Sequence, residues 1–210
     1  MPILRLFLLL VFALTFLVLP RLGGGWFWDF GNGLGLVAFV GLLFQMIPCR
    51  RGKTLKRHEW LGYAVLGLSF AHAGWLLTGD PAVRFYLLPG APLYMWLGLA
   101  ALVLLAALTL LARMPERKRL HRGYTQFRQV HRWLGFALVL AAALHILLSG
   151  FYLRRWWQGA ALIALTLAAS LGRSQWARLG TPPPAASARA YLALGSLALA
   201  AFLLIRDLVP

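Results

Sequence analysis

Four histidines fall into two pairs that share one internal spacing. His58 and His72 are fourteen residues apart, and so are His131 and His145. Fourteen residues are close to four full turns of an α-helix, so both histidines of a pair point to the same side of their helix, at levels about 21 Å apart. Two such helices side by side would present two facing histidine pairs, which is the arrangement needed to hold two bis-histidine haem groups.

The composition of the chain places these helices in a membrane. The 210 residues are 61% hydrophobic and only 12% charged, whereas an average soluble domain is about 25% charged. Net charge is +16, from 21 Lys and Arg against 5 Asp and Glu. These basic residues cluster between apolar runs, which favours the positive-inside bias of membrane loops over nucleic-acid binding. The single cysteine, Cys49, excludes an internal disulfide and a cysteine-ligated zinc or iron–sulfur site within one chain.

Seven apolar runs define the expected architecture. They cover residues 3–20, 31–48, 59–78, 92–112, 132–153, 157–172 and 190–206. A bilayer span needs about 20 residues, so we expect an all-α, polytopic transmembrane bundle of six or seven helices. Residues 1–210 would form a single haem-binding domain with its core at 50–160 and the haems between the third and fifth helices.

The distribution of Lys and Arg orients this bundle. With the N-terminus in the cytoplasm, sixteen of these residues fall on the inner side, and five fall on the outer side: Arg21, Arg84, Arg154, Arg155 and Arg206. Such a bias is typical of an integral membrane protein in this orientation. The third and fifth helices then both run outwards, so His58 and His131 lie at an inner level and His72 and His145 at an outer level.

Residues near the histidines suggest supporting roles. Arg57 and Arg132 flank the inner level and could contact haem propionates, which are anions. Glycines on the histidine helices would let a flat macrocycle or another helix approach closely; they are Gly62, Gly67, Gly74 and Gly135. The fifth histidine, His121, lies in a basic loop and is interpreted as a solvated residue or a substitute ligand for His131.

Two segments carry a family resemblance. RHEWLGYAVLGLSFAH (Arg57 to His72) and HRWLGFALVLAAALH (His131 to His145) resemble the histidine helices of the ferric reductase-like transmembrane domain family. That family includes NADPH oxidases, metalloreductases and the haem-bearing membrane subunit of the bacterial periplasmic methionine sulfoxide reductase system. The resemblance covers residues 50–160. It implies two b-type haems, an inner one on His58 and His131 and an outer one on His72 and His145.

The same resemblance implies a function and a location. Electrons would pass from a cytoplasmic reductant to an extracytoplasmic reductase, ferric chelate or oxygen, and the stand-alone bacterial subunits imply a bacterial inner (plasma) membrane. GNGLG (Gly31 to Gly35) is the one string near a dinucleotide fingerprint, and it opens an apolar run with no preceding strand. No segment outside the runs is long enough to fold around a flavin. The donor would therefore be a separate cytoplasmic flavoprotein or membrane quinol.

Two other functions stay open. A quinol-linked b-type cytochrome subunit also uses paired histidines at this spacing, and it would need a quinone pocket. A haem-free metal or proton transporter, or an assembly factor, would use the histidines directly. Such a pathway normally needs buried carboxylates, whereas the five acidic residues all lie near the ends of runs or in loops: Asp29, Glu59, Asp80, Glu116 and Asp207.

Overall fold

The chain folds into α-helices throughout the part that the computed structural model describes, which is residues 2–16, 25–49, 52–114, 123–172, 175 and 186–208. Within these residues there are eight helices and no β-strand. The helices are α1 (Pro2–Phe16), α2 (Trp26–Gln45), α3 (Lys53–Gly79), α4 (Pro81–Phe85), α5 (Leu93–Arg113), α6 (Tyr124–Ser149), α7 (Trp156–Leu171) and α8 (Ala188–Leu208). The all-α prediction is therefore confirmed.

Five of the described helices are long and apolar enough to cross a membrane: α2, α3, α5, α6 and α8. The helices α1 and α7 are also apolar but have only 15 and 16 residues. The seven predicted runs match the seven long helices in chain order, and the third and fifth runs correspond to α3 and α6. Six or seven spanning helices were predicted, and five of the described helices are confirmed as long and apolar enough to span a membrane.

Helix boundaries differ from the apolar runs where polar residues continue a helix. The helix α6 begins at Tyr124, eight residues before its run, because Thr, Gln and Arg side chains can extend a helix beyond the apolar part. It ends at Gly150, whose φ of 67° is the left-handed conformation that favours glycine. The helix α2 begins at Trp26, so the Gly31 to Gly35 string lies inside the helix and does not open it.

The short helix α4 was not predicted from the sequence. Its start has two local causes: Pro81 occupies the first turn, and the Asp80 carboxylate accepts a hydrogen bond of 2.8 Å from the backbone N–H of Ala82. Both features are typical of helix N-termini. The same Asp80 follows the last turn of α3, so α3 ends and α4 begins at one residue.

Two helical hairpins form the centre of the bundle. The helix α2 packs along α3, and α5 packs along α6. The helix α3 also touches α5, and α6 also touches α2, but none of the described Cα atoms of α3 lies within 8 Å of a Cα atom of α6. The histidine-bearing helices are therefore diagonal to each other in a four-helix arrangement, with α1, α7 and α8 packed around α2.

A buried polar cluster joins α2 to α8. Arg206 Nε on α8 lies 2.8 Å from Asp29 Oδ1 on α2, and the Tyr152 hydroxyl donates a 2.7 Å hydrogen bond to the same oxygen. The Arg206 guanidinium also lies 4.9 Å from the centre of the Tyr152 ring. All three residues are buried. Asp29 and Arg206 lie near the ends of two apolar runs, and nothing in the sequence indicates that they pair.

Candidate functional site

The structure brings the four histidines together as two pairs between α3 and α6. The ring centres of His58 and His131 are 6.4 Å apart, and those of His72 and His145 are 6.3 Å apart. Because the first members of the two sequence pairs meet and the second members also meet, α3 and α6 run in the same direction. The levels expected from the fourteen-residue spacing are therefore present in the fold.

The distance between the rings of each pair fits one metal ion between two imidazoles. Two metal–nitrogen bonds of about 2.0 Å, and about 1.1 Å from each ring centre to its nitrogen, would separate the ring centres by roughly 6.2 Å. A direct N–H···N hydrogen bond of about 2.9 Å would bring the same centres to roughly 5.1 Å. Both observed distances agree with the first geometry and exceed the second.

Backbone carbonyls fix the orientation of the His72 and His145 rings. His72 Nδ1 lies 2.8 Å from the carbonyl oxygen of Gly31 on α2, and His145 Nδ1 lies 2.6 Å from that of Tyr94 on α5. A carbonyl oxygen can only accept, so each Nδ1 carries the proton and donates it. Each Nε2 is then the atom with a free lone pair, which is the tautomer that a metal ligand needs.

The His58–His131 pair is held differently. His131 Nδ1 is buried and has no hydrogen-bond partner among the described residues, and the ring of Phe127 lies 5.7 Å from the His131 ring. The side chain of Gln45 on α2 donates a 3.4 Å hydrogen bond to the backbone carbonyl of His58 on α3. The two pairs thus share their spacing but not their hydrogen bonds.

An apolar cavity surrounds the His72–His145 pair. It has a volume of about 250 Å³ and is lined by residues of α2 to α6, including both histidines. Val83 of α4 and Tyr86 just after it line the end nearest the α3–α4 junction. Leu105 and Leu138 line it farther along α5 and α6, towards the other pair. The cavity therefore extends into the space between the two histidine helices.

The two imidazoles of each pair suit a metal ion that a cofactor already coordinates. Among the described residues, no three His, Cys, Asp or Glu side chains come together in a group that could hold a metal ion. A bare zinc ion needs three or four protein ligands, whereas haem iron has four porphyrin nitrogens and takes one or two axial ligands from protein. Three features at the His72–His145 level are compatible with a haem. The ring centres are 6.3 Å apart, the two histidine helices do not pack against each other, and the cavity between them is apolar.

The other residues singled out in the sequence are more peripheral. Arg57 and Arg132 are each the neighbour of a paired histidine, and both are exposed; the Arg132 guanidinium lies 5.0 Å from the centre of the Trp133 ring. An added Cβ at Gly67 or Gly74 would meet no protein atom within 4 Å, so no close approach of another helix requires these glycines. His121 lies outside the described residues.

Two glycines that contact the histidine rings lie on the neighbouring helices α2 and α5, whereas the sequence drew attention to glycines on the histidine helices themselves. An added Cβ at Gly35 would lie 3.0 Å from the His72 ring, and one at Gly98 would lie 2.8 Å from the His145 ring. The clustering of glycines from Gly31 to Gly35 was a sequence signal for a close contact at Gly35. Gly98 stands alone in a run of apolar residues, and its role was not readable from the sequence.

Comparison of the chain with models of known protein families, with curated proteins and with solved structures found no match.

Proposed function

We propose that this chain is a di-haem b-type membrane cytochrome that relays electrons across a membrane, with His58 and His131 as axial ligands of one haem and His72 and His145 as axial ligands of the other. The observation that carries the proposal is the repeated pair geometry: two histidine pairs at 6.3 and 6.4 Å, on parallel helices that do not pack against each other. Haem groups held in this way supply one-electron transfer.

The histidines themselves favour electron transfer over oxygen binding. Each pair would hold a haem through two imidazole nitrogens, a donor set that is typical of haems that transfer electrons and do not bind oxygen. The hydrogen bonds from Nδ1 to the carbonyls of Gly31 and Tyr94 hold the rings of the second pair and make their Nε2 atoms better donors. Mostly apolar side chains line the cavity at the same level.

The surface near the His58–His131 pair favours an acidic electron donor. Exposed basic side chains surround this end of α3 and α6: Lys53, Lys56, Arg57, Arg128 and Arg132. Positive charge raises the encounter rate with an acidic partner, and the positive-inside rule places this end and the N-terminus in the cytoplasm. A cytoplasmic flavoprotein is the donor that we propose, with flavin bound by that partner and not by this chain.

The other end would face the acceptor. Here Val83 of α4, with Tyr86 and Leu87 just after it, lines the cavity around His72 and His145. The resemblance to the ferric reductase-like family suggests a periplasmic reductase, a ferric chelate or oxygen as the acceptor, in a bacterial inner membrane. The same resemblance supports the assignment of the two haems as an inner and an outer one.

A spectrum of the purified protein tests this proposal. After expression with ample haem, we expect a dithionite-reduced minus oxidised spectrum with a sharp b-type α-band, and two haems per chain by the pyridine-haem method. Protein without haem under these conditions would contradict the proposal. It would favour the alternative in which the histidines bind a metal ion or protons directly. Rapid reduction by a quinol analogue, with none by a flavoprotein, would support the quinol-linked function.

A further inference from the structure

His72 and His145 are held by two structures of the same construction, which we call carbonyl–glycine seats. Each seat is a backbone carbonyl that accepts from the ring Nδ1 and a glycine four residues later whose absent Cβ leaves room for the ring. The seats are the Gly31 carbonyl with Gly35, and the Tyr94 carbonyl with Gly98. They lie on α2 and α5, the first helices of the two central hairpins.

The four-residue offset has a stereochemical cause. In an α-helix the carbonyl of residue i bonds the N–H of residue i+4, and its second lone pair stays available. Side chains lean towards the N-terminus of a helix, so the side chain of residue i+4 lies beside that same carbonyl. A ring from another helix can reach the second lone pair only where residue i+4 has no side chain in the way.

The chain itself shows how a side chain at i+4 would occupy this place. Ser69 donates to the carbonyl of Val65 at 2.9 Å, and Thr109 donates to that of Leu105 at 2.8 Å. In both cases a hydroxyl at i+4 bonds the carbonyl at i, as serine and threonine commonly do in helices. At the two seats a histidine ring from the neighbouring helix takes the position of that hydroxyl.

We propose that Gly35 and Gly98 are positioning residues, each of which holds one ligand histidine in the Nδ1–H tautomer with Nε2 directed to the haem iron. An added methyl at Gly35 would lie 3.0 Å from Cε1 and Nδ1 of His72, and at Gly98 2.8 Å from the same atoms of His145. The His145 ring would then have to shift, and the His72 ring would have to move by a few tenths of an ångström, so both hydrogen bonds would be disturbed. The role of the haem in this inference rests on the proposed function. The hydrogen bond and the glycine of each seat are present in the protein itself.

Haem content is the first test. We expect Gly35→Ala and Gly98→Ala each to lower the haem content from two per chain to one, with the haem of the His58–His131 pair retained. Gly67→Ala and Gly74→Ala are matched controls, because an added Cβ there meets nothing within 4 Å, and both should keep two haems. Two haems with unchanged midpoint potentials in both seat variants would overturn the inference and leave the proposed function intact.

Two further measurements keep the seats testable if a variant folds poorly or the protein binds no haem. In spectra of ¹⁵N-histidine-labelled protein without haem, Gly35→Ala should remove the Nδ1–H tautomer of His72 and leave that of His145. In a double-mutant cycle, Gly35→Ala should lower the melting temperature of the wild type but not that of the His72→Ala variant. Equal losses in both backgrounds would show that Gly35 serves helix packing alone and would overturn the inference. A wild type without haem would contradict only the proposed function.

Discussion

Replacement of His72 by alanine should remove one of two haem groups and leave the other. The ring centre of His72 lies 6.3 Å from that of His145, and the loss of either imidazole leaves one axial ligand where two are needed. We therefore expect His72→Ala, His145→Ala and the double variant all to bind one haem per chain. Pyridine-haem quantitation gives the number, and a redox titration should show that the same component is lost in all three.

The complementary variants and a control sharpen this experiment. His58→Ala and His131→Ala should each lose the other haem, so that a redox titration separates the four variants into two groups of two. His121→Ala is the matched control and should keep both haems. If His72→Ala and His145→Ala lost different components, or if either retained two haems, the assignment of ligands to pairs would be wrong.

Replacement of Arg206 by alanine should destabilise the bundle by about 3–5 kcal/mol, because removal of one partner from a buried ion pair leaves an uncompensated charge. Within the described part of the chain, the Asp29 carboxylate would keep the hydrogen bond from Tyr152. Burial raises the pKa of Tyr152, and the hydrogen bond to Asp29 adds to the effect, so its hydroxyl stays protonated and continues to donate. Chemical unfolding in detergent, followed by tryptophan fluorescence, measures the loss.

Arg189→Ala provides the matched control for this measurement. Arg189 lies in the first turn of the same helix and is exposed, so its removal should change the free energy of unfolding by less than about 0.5 kcal/mol. The double variant Asp29→Asn with Arg206→Met removes both charges and should be less destabilised than the two single changes combined. Equal stability of the Arg206→Ala and Arg189→Ala variants would contradict a stabilising role for the pair.

The levels of the histidines could be predicted because they depend on helical periodicity, and the common direction of the two helices followed from the distribution of Lys and Arg. A spacing of fourteen residues fixes the face and the level of each ring once the segment is helical. Apolar runs identified the seven helices other than α4 because a bilayer span needs about 20 apolar residues. The haem itself, its donor and its acceptor are chemistry beyond the polypeptide and stay predictions from the site.

Other features could not be read from the sequence because they depend on which helices meet. A backbone carbonyl has no sequence signature, so the partners of His72 and His145 became visible only when α2 and α5 were seen beside the histidine helices. The ion pair of Asp29 with Arg206 joins opposite ends of the chain. The early start of α6 lacked an apolar signal, since its first turns are mostly polar.

The Asp29–Arg206 pair also imposes an order on biosynthesis. Asp29 belongs to α2, which is synthesised before α8, the helix that carries Arg206. Until α8 has been made, the Asp29 carboxylate cannot pair with Arg206, and an unpaired charge among apolar helices is costly. The packing of α8 against α2 removes this penalty, so the α2–α8 contact is completed only after the helices between them have been made.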